Sequence, residues 1–207
     1  MNLALTIYYI STIAWILPIF RQYKSNLFYF FLFLGICDPL TIIATLTIKL
    51  KVELIAVIFA PILFYAIGID RQKKFTINKL EIFVFVLTYT LIFLIDNSNI
   101  ILLVIHTLIT IRAIFKIIIA LHHHQKINLV HLVLAFYMIS SVASLIIYLN
   151  GDHQSMILFF INLSFQTLIA IFFSIFREDH PKLTYIITPA YKAVSYTHLT
   201  LPTSDLV

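Results

Sequence analysis

A few polar side chains sit inside long apolar runs: Asp38, His106, Arg112, Ser140, Ser141, Asn162 and Gln166. Ionisable groups at membrane depth are costly and are functional candidates by default. Depths follow from about 1.5 Å per residue, counted from the nearest end rich in Lys or Arg. Asp38 lies about 16 Å in, Arg112 about 12 Å, His106 about 21 Å, Ser140 and Ser141 about 17–18 Å, Asn162 about 21 Å and Gln166 about 15 Å. These residues would form one polar layer near the midplane, closed by an Asp38–Arg112 ion pair and able to bind a small molecule. Pro39 follows Asp38, and its missing N–H can open a local gap in the helix. The competing reading is structural. Arg112 would snorkel to the headgroups beside Lys116, Asp38 would be protonated or hydrogen-bonded, and Ser, Asn and Gln would join helices. His106 and Arg112 are six residues apart, so they point about 120° apart on a helix.

Other chemistries find little footing. His122-His123-His124 and His131 lack the spaced ligands and the supporting acid of a zinc site. They read instead as a basic interfacial patch that meets anionic lipid. The single cysteine, Cys37, removes any internal disulfide and any cysteine-based metal site. Three glycines exclude a Gly-rich phosphate loop and Gly-zipper packing. The Ser, His and Asp residues form no nucleophile elbow. No catalytic residue, metal or cofactor is expected, and no nucleic-acid partner.

The elements that hold the polar residues follow from composition. The chain has 207 residues, 61% hydrophobic and 11% charged, with a mean hydropathy of +1.01. Soluble domains average about 45–50% apolar and about 25% charged residues, so a water-soluble core is excluded. Uncharged runs predict an all-α, polytopic protein with seven transmembrane helices at roughly 3–20, 27–48, 53–69, 80–95, 99–120, 129–149 and 155–176. The fourth is the weakest, because its uncharged run from Ile82 to Ile95 must recruit Leu80 and Glu81.

Charge placement gives orientation. Arg21 and Lys24, then Arg71, Lys73, Lys74 and Lys79, then Lys126, then Arg177 and Lys182 fall in alternate connections. Asp96–Asn99 and Asn150–His153 carry no Lys or Arg, and only Lys49 and Lys51 vote the other way. The positive-inside rule predicts N-out and C-in. Trp15, near the first cytosolic end, fits an interfacial aromatic belt. Heavy use of Ile, Phe, Tyr, Asn and Lys suggests a bacterial, AT-rich source, and so the inner membrane.

The domain organisation is a membrane domain at 1–177, a cytosolic tail at 178–193 and a final segment at 194–207. Within the last, Ser195-Tyr196-Thr197-His198-Leu199-Thr200-Leu201-Pro202-Thr203 resembles translated sequencing-adapter read-through. That resemblance implies a non-native segment and a native chain that continues past about Ala193, with room for a cytosolic output domain.

Two functions compete. A non-enzymatic sensory or interaction module, with a membrane-permeant ligand in the polar layer, fits the short external loops. A small-solute transporter of two three-helix repeats is the alternative. Pro18 followed by Arg21, Tyr23, Lys24 and Ser25 resembles the proline–glutamine loop of small sugar and amino-acid carriers, with Ile19 in place of the glutamine. Prolines fall only in spans one to three, whereas repeat-based transporters tend to break corresponding helices in both halves. That asymmetry favours the sensory module.

Overall fold

In a computed structural model, residues 3–69, 77–149 and 156–187 are described. The predicted 194–207 segment lies outside them, as do the basic cluster Arg71–Lys74 and the Asn150–His153 turn. Among the described residues seven α-helices form: α1 (Leu3–Arg21), α2 (Phe28–Ile48), α3 (Val52–Gly68), α4 (Lys79–Leu94), α5 (Ser98–His124), α6 (Leu129–Leu149) and α7 (Met156–Ile175). Hydrocarbon offers no partner to backbone N–H and C=O groups, so apolar runs satisfy them internally as helices. Three stretches are long and apolar enough to cross a membrane: Phe28–Ile48, Ser98–His123 and Leu129–Leu149. Tyr9–Arg21, Val52–Gly68 and Phe160–Ile175 are shorter apolar helices.

Pro18, Pro39 and Pro61 all lie inside continuous helices. The gap expected at Pro39 therefore does not interrupt α2. Helix α5 runs 27 residues, about 40 Å. Its extra turn carries the three adjacent histidines.

The helix neighbours have a simple order. Helix α1 packs on α2 and α7, α3 on α2 and α5, and α6 on α5 and α7. Helix α4 stands outside this circuit, against α3 and α5. Exchanging the triplet α1–α3 with the triplet α5–α7 maps every neighbour in the circuit onto another. Two of the three glycines mark close approaches. A Cβ at Gly35 would lie 2.6 Å from the Trp15 carbonyl, and one at Gly68 would overlap the Arg112 guanidinium. Each of these glycines thus serves packing at a single point.

The core is densest at the end that carries Arg21, Lys126 and Arg177, called here the basic end. Trp15 is 3% exposed and stacks on Tyr137 with ring centroids 4.7 Å apart. It also lies 6.5 Å from Phe173, and Phe31 lies 4.7 Å from Phe173. Trp15 is therefore not in a lipid-facing belt. Its ring is large and apolar, and the interior of the circuit is where it loses most water-accessible surface.

A short ribbon covers the basic end. Strand β1 (Lys126–Asn128) pairs antiparallel with β2 (Thr184–Ile186), with Lys126 opposite Ile186 and Asn128 opposite Thr184. A single 3-10 turn at Pro181–Leu183 leads into β2.

Candidate functional site

Arg112 does not meet Asp38. Its Nη2 donates to Glu81 Oε1 at 2.6 Å, its Nη1 donates to the Phe64 carbonyl at 3.1 Å, and its guanidinium lies 4.7 Å from the Phe64 ring centroid. The Glu81 side chain is 3% exposed and that of Arg112 20%. Arg112 thus neither closes a central site nor snorkels to the headgroups. The physical reason is helix rotation, which depth arithmetic cannot supply: Arg112 faces α3 and α4. Glu81 Oε2 also accepts the Asn78 N–H at 2.8 Å, capping α4. The acid that made the fourth span look weak is the partner of Arg112.

The remaining candidates separate. Ser140 Oγ donates to Asn162 Oδ1 at 2.8 Å, joining α6 to α7. Ser141 Oγ donates to the Tyr137 carbonyl at 3.2 Å, within α6. His106 Nδ1 donates to the Leu102 carbonyl at 3.0 Å, one turn back on α5. Gln166 is half-buried on α7. Asp38 faces inward. It lies seven residues after Phe31 and three after Gly35, both buried, and three before Thr41, also buried. That spacing puts all four on one stripe of α2. The stripe meets α7 through Phe31 and α1 through Gly35. Across the interior, Asp38 is within electrostatic reach of Tyr137 on α6.

Burial fixes what this layer is. Among the described side chains, the last buried residue is Thr41 on α2 and Met138 on α6, and the first is Ser11 on α1 and Leu163 on α7. These lie about 14–20 Å from the basic end, counted along the helices. Beyond them α1, α2, α6 and α7 have no buried described side chain. Helices α3 and α5 instead stay buried from Ile55 to Ile67 and from Ile101 to Ala113. One side of the bundle therefore loosens toward the end opposite the basic one. Asp38, Ser140, Ser141 and Asn162 sit at the floor of that looser half, above the Trp15–Phe31–Tyr137–Phe173 aromatic layer.

A second polar cluster escaped sequence reasoning. Gln22 is fully buried, and its Nε2 donates to the Phe173 carbonyl at 3.0 Å and the Phe176 carbonyl at 2.7 Å. Its Oε1 accepts the Glu178 N–H at 3.1 Å. The Glu178 carboxylate accepts from Leu27 N–H and from His131 Nε2, each at 3.0 Å, while its carbonyl accepts from Asn128 at 2.6 Å. Burial would raise the Glu178 carboxyl, but the His131 hydrogen bond and charge, the Leu27 N–H and the charge of Lys116 outweigh it and hold the group below its ordinary value. His131, expected to face lipid headgroups, faces Glu178. A polar residue at the edge of a span was the only signal available for Gln22 or Glu178.

The two clusters correspond under exchange of the triplets. Gln22 ends the first helix of one triplet and binds carbonyls at the end of α7, with Glu178 following. Arg112 lies on the first helix of the other triplet and binds a carbonyl near the end of α3, with Glu81 following on α4. Among the described residues, no group of three or more His, Cys, Asp or Glu is placed to hold a metal ion. No known family matches the chain, and no characterised protein or solved structure does so either.

Proposed function

We propose that this chain is a seven-span bacterial inner-membrane protein, N-terminus outside and C-terminal segment inside, that carries a small solute between its two helix triplets. The observation that carries this reading is the exchange of neighbours between α1–α3 and α5–α7, with α4 outside as the linker. Alternating access needs two comparable halves around one site. The proline asymmetry that pointed away from a carrier loses its force, because no helix in either half is broken at proline. The polar floor would be the solute site. The aromatic layer and the Gln22–Glu178 cluster would be its closed cytosolic gate.

The sensory or interaction reading is supported by one separate observation. The segment that leaves α7 is fastened to α1, α2 and α6 through Glu178. A ligand that moved α7 would move whatever follows it.

Sided labelling distinguishes the two. A Ser141→Cys reporter in a Cys37→Ser background is treated with a small impermeant thiol reagent, in right-side-out and in inverted vesicles. A carrier exposes the reporter to each side in turn, so both preparations label. Labelling from the outside alone removes the carrier reading and leaves the sensory one.

A further inference from the structure

Asp38 is a carboxylate without a counter-charge. Among the described residues its side chain has neither an ion-pair partner nor a hydrogen-bond partner. The guanidinium that the sequence offered is taken by Glu81. His106 donates to its own helix, and Lys116 lies one turn nearer the basic end than Arg112. Among the described residues the interior at this level therefore has one acidic group and, His106 aside, no basic group to match it. An unpaired charge in low dielectric is strongly disfavoured, so such a group either takes up a proton or meets a ligand that supplies the opposite charge.

The surroundings indicate what kind of charge. Asp38 is on the inward stripe of α2, about 10 Å along the axis from Phe31 in the aromatic layer. Tyr137 and Trp15, stacked at 4.7 Å, stand between the Asp38 level and the basic end. A carboxylate within electrostatic reach of Tyr137, at the level where buried side chains give out, has the chemistry that recognises an organic ammonium. The carboxylate supplies the counter-charge, and the alkyl groups on nitrogen would rest on the apolar floor that Trp15 and Tyr137 close. Ser141 and the Ser140–Asn162 pair add hydrogen-bonding atoms for a neutral part of the same molecule. An inorganic cation would instead call for several oxygens converging on one point.

We infer that Asp38 is the counter-ion for the ammonium group of a small amine or quaternary ammonium solute bound above the Trp15–Tyr137 pair. This deepens the carrier reading and rests on it for transport, though not for binding.

Trp15 is the only tryptophan in the chain and lies against the proposed site, so its emission is a native reporter. The full chain in nanodiscs is titrated with choline, with its uncharged isostere 3,3-dimethyl-1-butanol, and with propionate. Choline is expected to change Trp15 emission saturably and to raise the melting temperature, while the alcohol and the anion do neither. Asp38→Asn is expected to weaken choline at least tenfold. Asp38→Glu, which keeps the charge, should retain part of the binding, so a folding defect in one variant does not decide the matter.

Equal response to the alcohol, unchanged choline binding in Asp38→Asn, or neither an emission nor a melting response to choline, tetramethylammonium and butylamine overturns the inference. So does Trp15 emission that follows pH alone, which would make a proton the counter-charge. The two proposals fail separately. Choline binding with one-sided Ser141→Cys labelling rejects the carrier and keeps the site. Two-sided labelling without any ammonium response does the reverse.

Discussion

Removing the Arg112 guanidinium should destabilise the bundle by about 3–5 kcal/mol, the cost of leaving one member of a buried ion pair alone. The structure supports the upper part of that range for Arg112→Gln. Glu81 is 3% exposed in its side chain and would keep only the Asn78 N–H. Arg112→Gln also removes the donor to the Phe64 carbonyl and the contact with the Phe64 ring. Glu81→Gln should cost less, about 1–3 kcal/mol, because Arg112 is 20% exposed and keeps the Phe64 carbonyl and ring. The double variant should cost less than the sum of the singles, with a coupling of about 0.5–3 kcal/mol. Gly68→Ala is a third route to the same loss. Its Cβ would take the space of the guanidinium, so its effect should not add to that of Arg112→Gln. The assay is reversible unfolding in mixed micelles, followed by far-ultraviolet circular dichroism and Trp15 emission. Singles within about 0.5 kcal/mol of the parent, the usual range for surface substitutions, or strictly additive doubles would refute the reasoning.

Three further outcomes are expected. Because the Glu178 carboxyl is held below its ordinary value, it contributes stability at neutral pH that is lost as pH falls through and below the ordinary carboxylate range. Glu178→Gln should lose that acid dependence, which is read from melts at a series of pH values. Ser140→Ala breaks the bond to Asn162 and should cost about 0.6 kcal/mol, at most about 1.7; a larger loss in micelle unfolding would mean that the pair does more than join α6 to α7. Reporter fusions after Gln125 and after Lys182 should read cytosolic and one after Asn97 external, and a cytosolic signal at Asn97 would end the seven-span proposal.

The elements were legible because hydrophobic length is a one-dimensional property. Each helix starts and stops within a few residues of its predicted span, α5 excepted, whose histidine turn extends past the apolar run. Ser140 and Asn162, counted to similar depths from the same end, are hydrogen-bonded. Rotation about each helix axis was not legible, because spans rich in apolar residues on all sides carry almost no amphipathic signal. Arg112 shows the consequence: its partner is Glu81, not Asp38. Trp15 shows another, since a tryptophan near a helix end suits an interfacial belt and a buried floor equally well. Gln22 and Glu178 were missed because their mutual contact and those of Gln22 with Phe173 and Glu178 with Leu27 span more than 150 residues, and those of Glu178 with His131 and Asn128 about 50. The bonds are mainly to backbone atoms, which leave no trace in residue type.

The two polar clusters bear on mechanism through their correspondence. Gln22 and Arg112 each reach from the first helix of one triplet to carbonyls at the end of the third helix of the other. Each contact therefore crosses the boundary between triplets at the basic end. Any rocking of one triplet against the other that opens this end must break both. They differ in make-up. Arg112 crosses to α3 through the Phe64 carbonyl, its ion pair being with Glu81 on α4 outside both triplets, whereas Gln22 crosses to α7 through neutral hydrogen bonds, each worth about 0.5–1.5 kcal/mol net. On the α1–α7 seam Arg21 Nε adds a bond to the Ile175 carbonyl at 3.0 Å, and the far half of that seam has no buried described side chain. In the proposed carrier a solute at Asp38 would lie beside that seam, where a small change in contact between α1 and α7 would decide which end of the site is open.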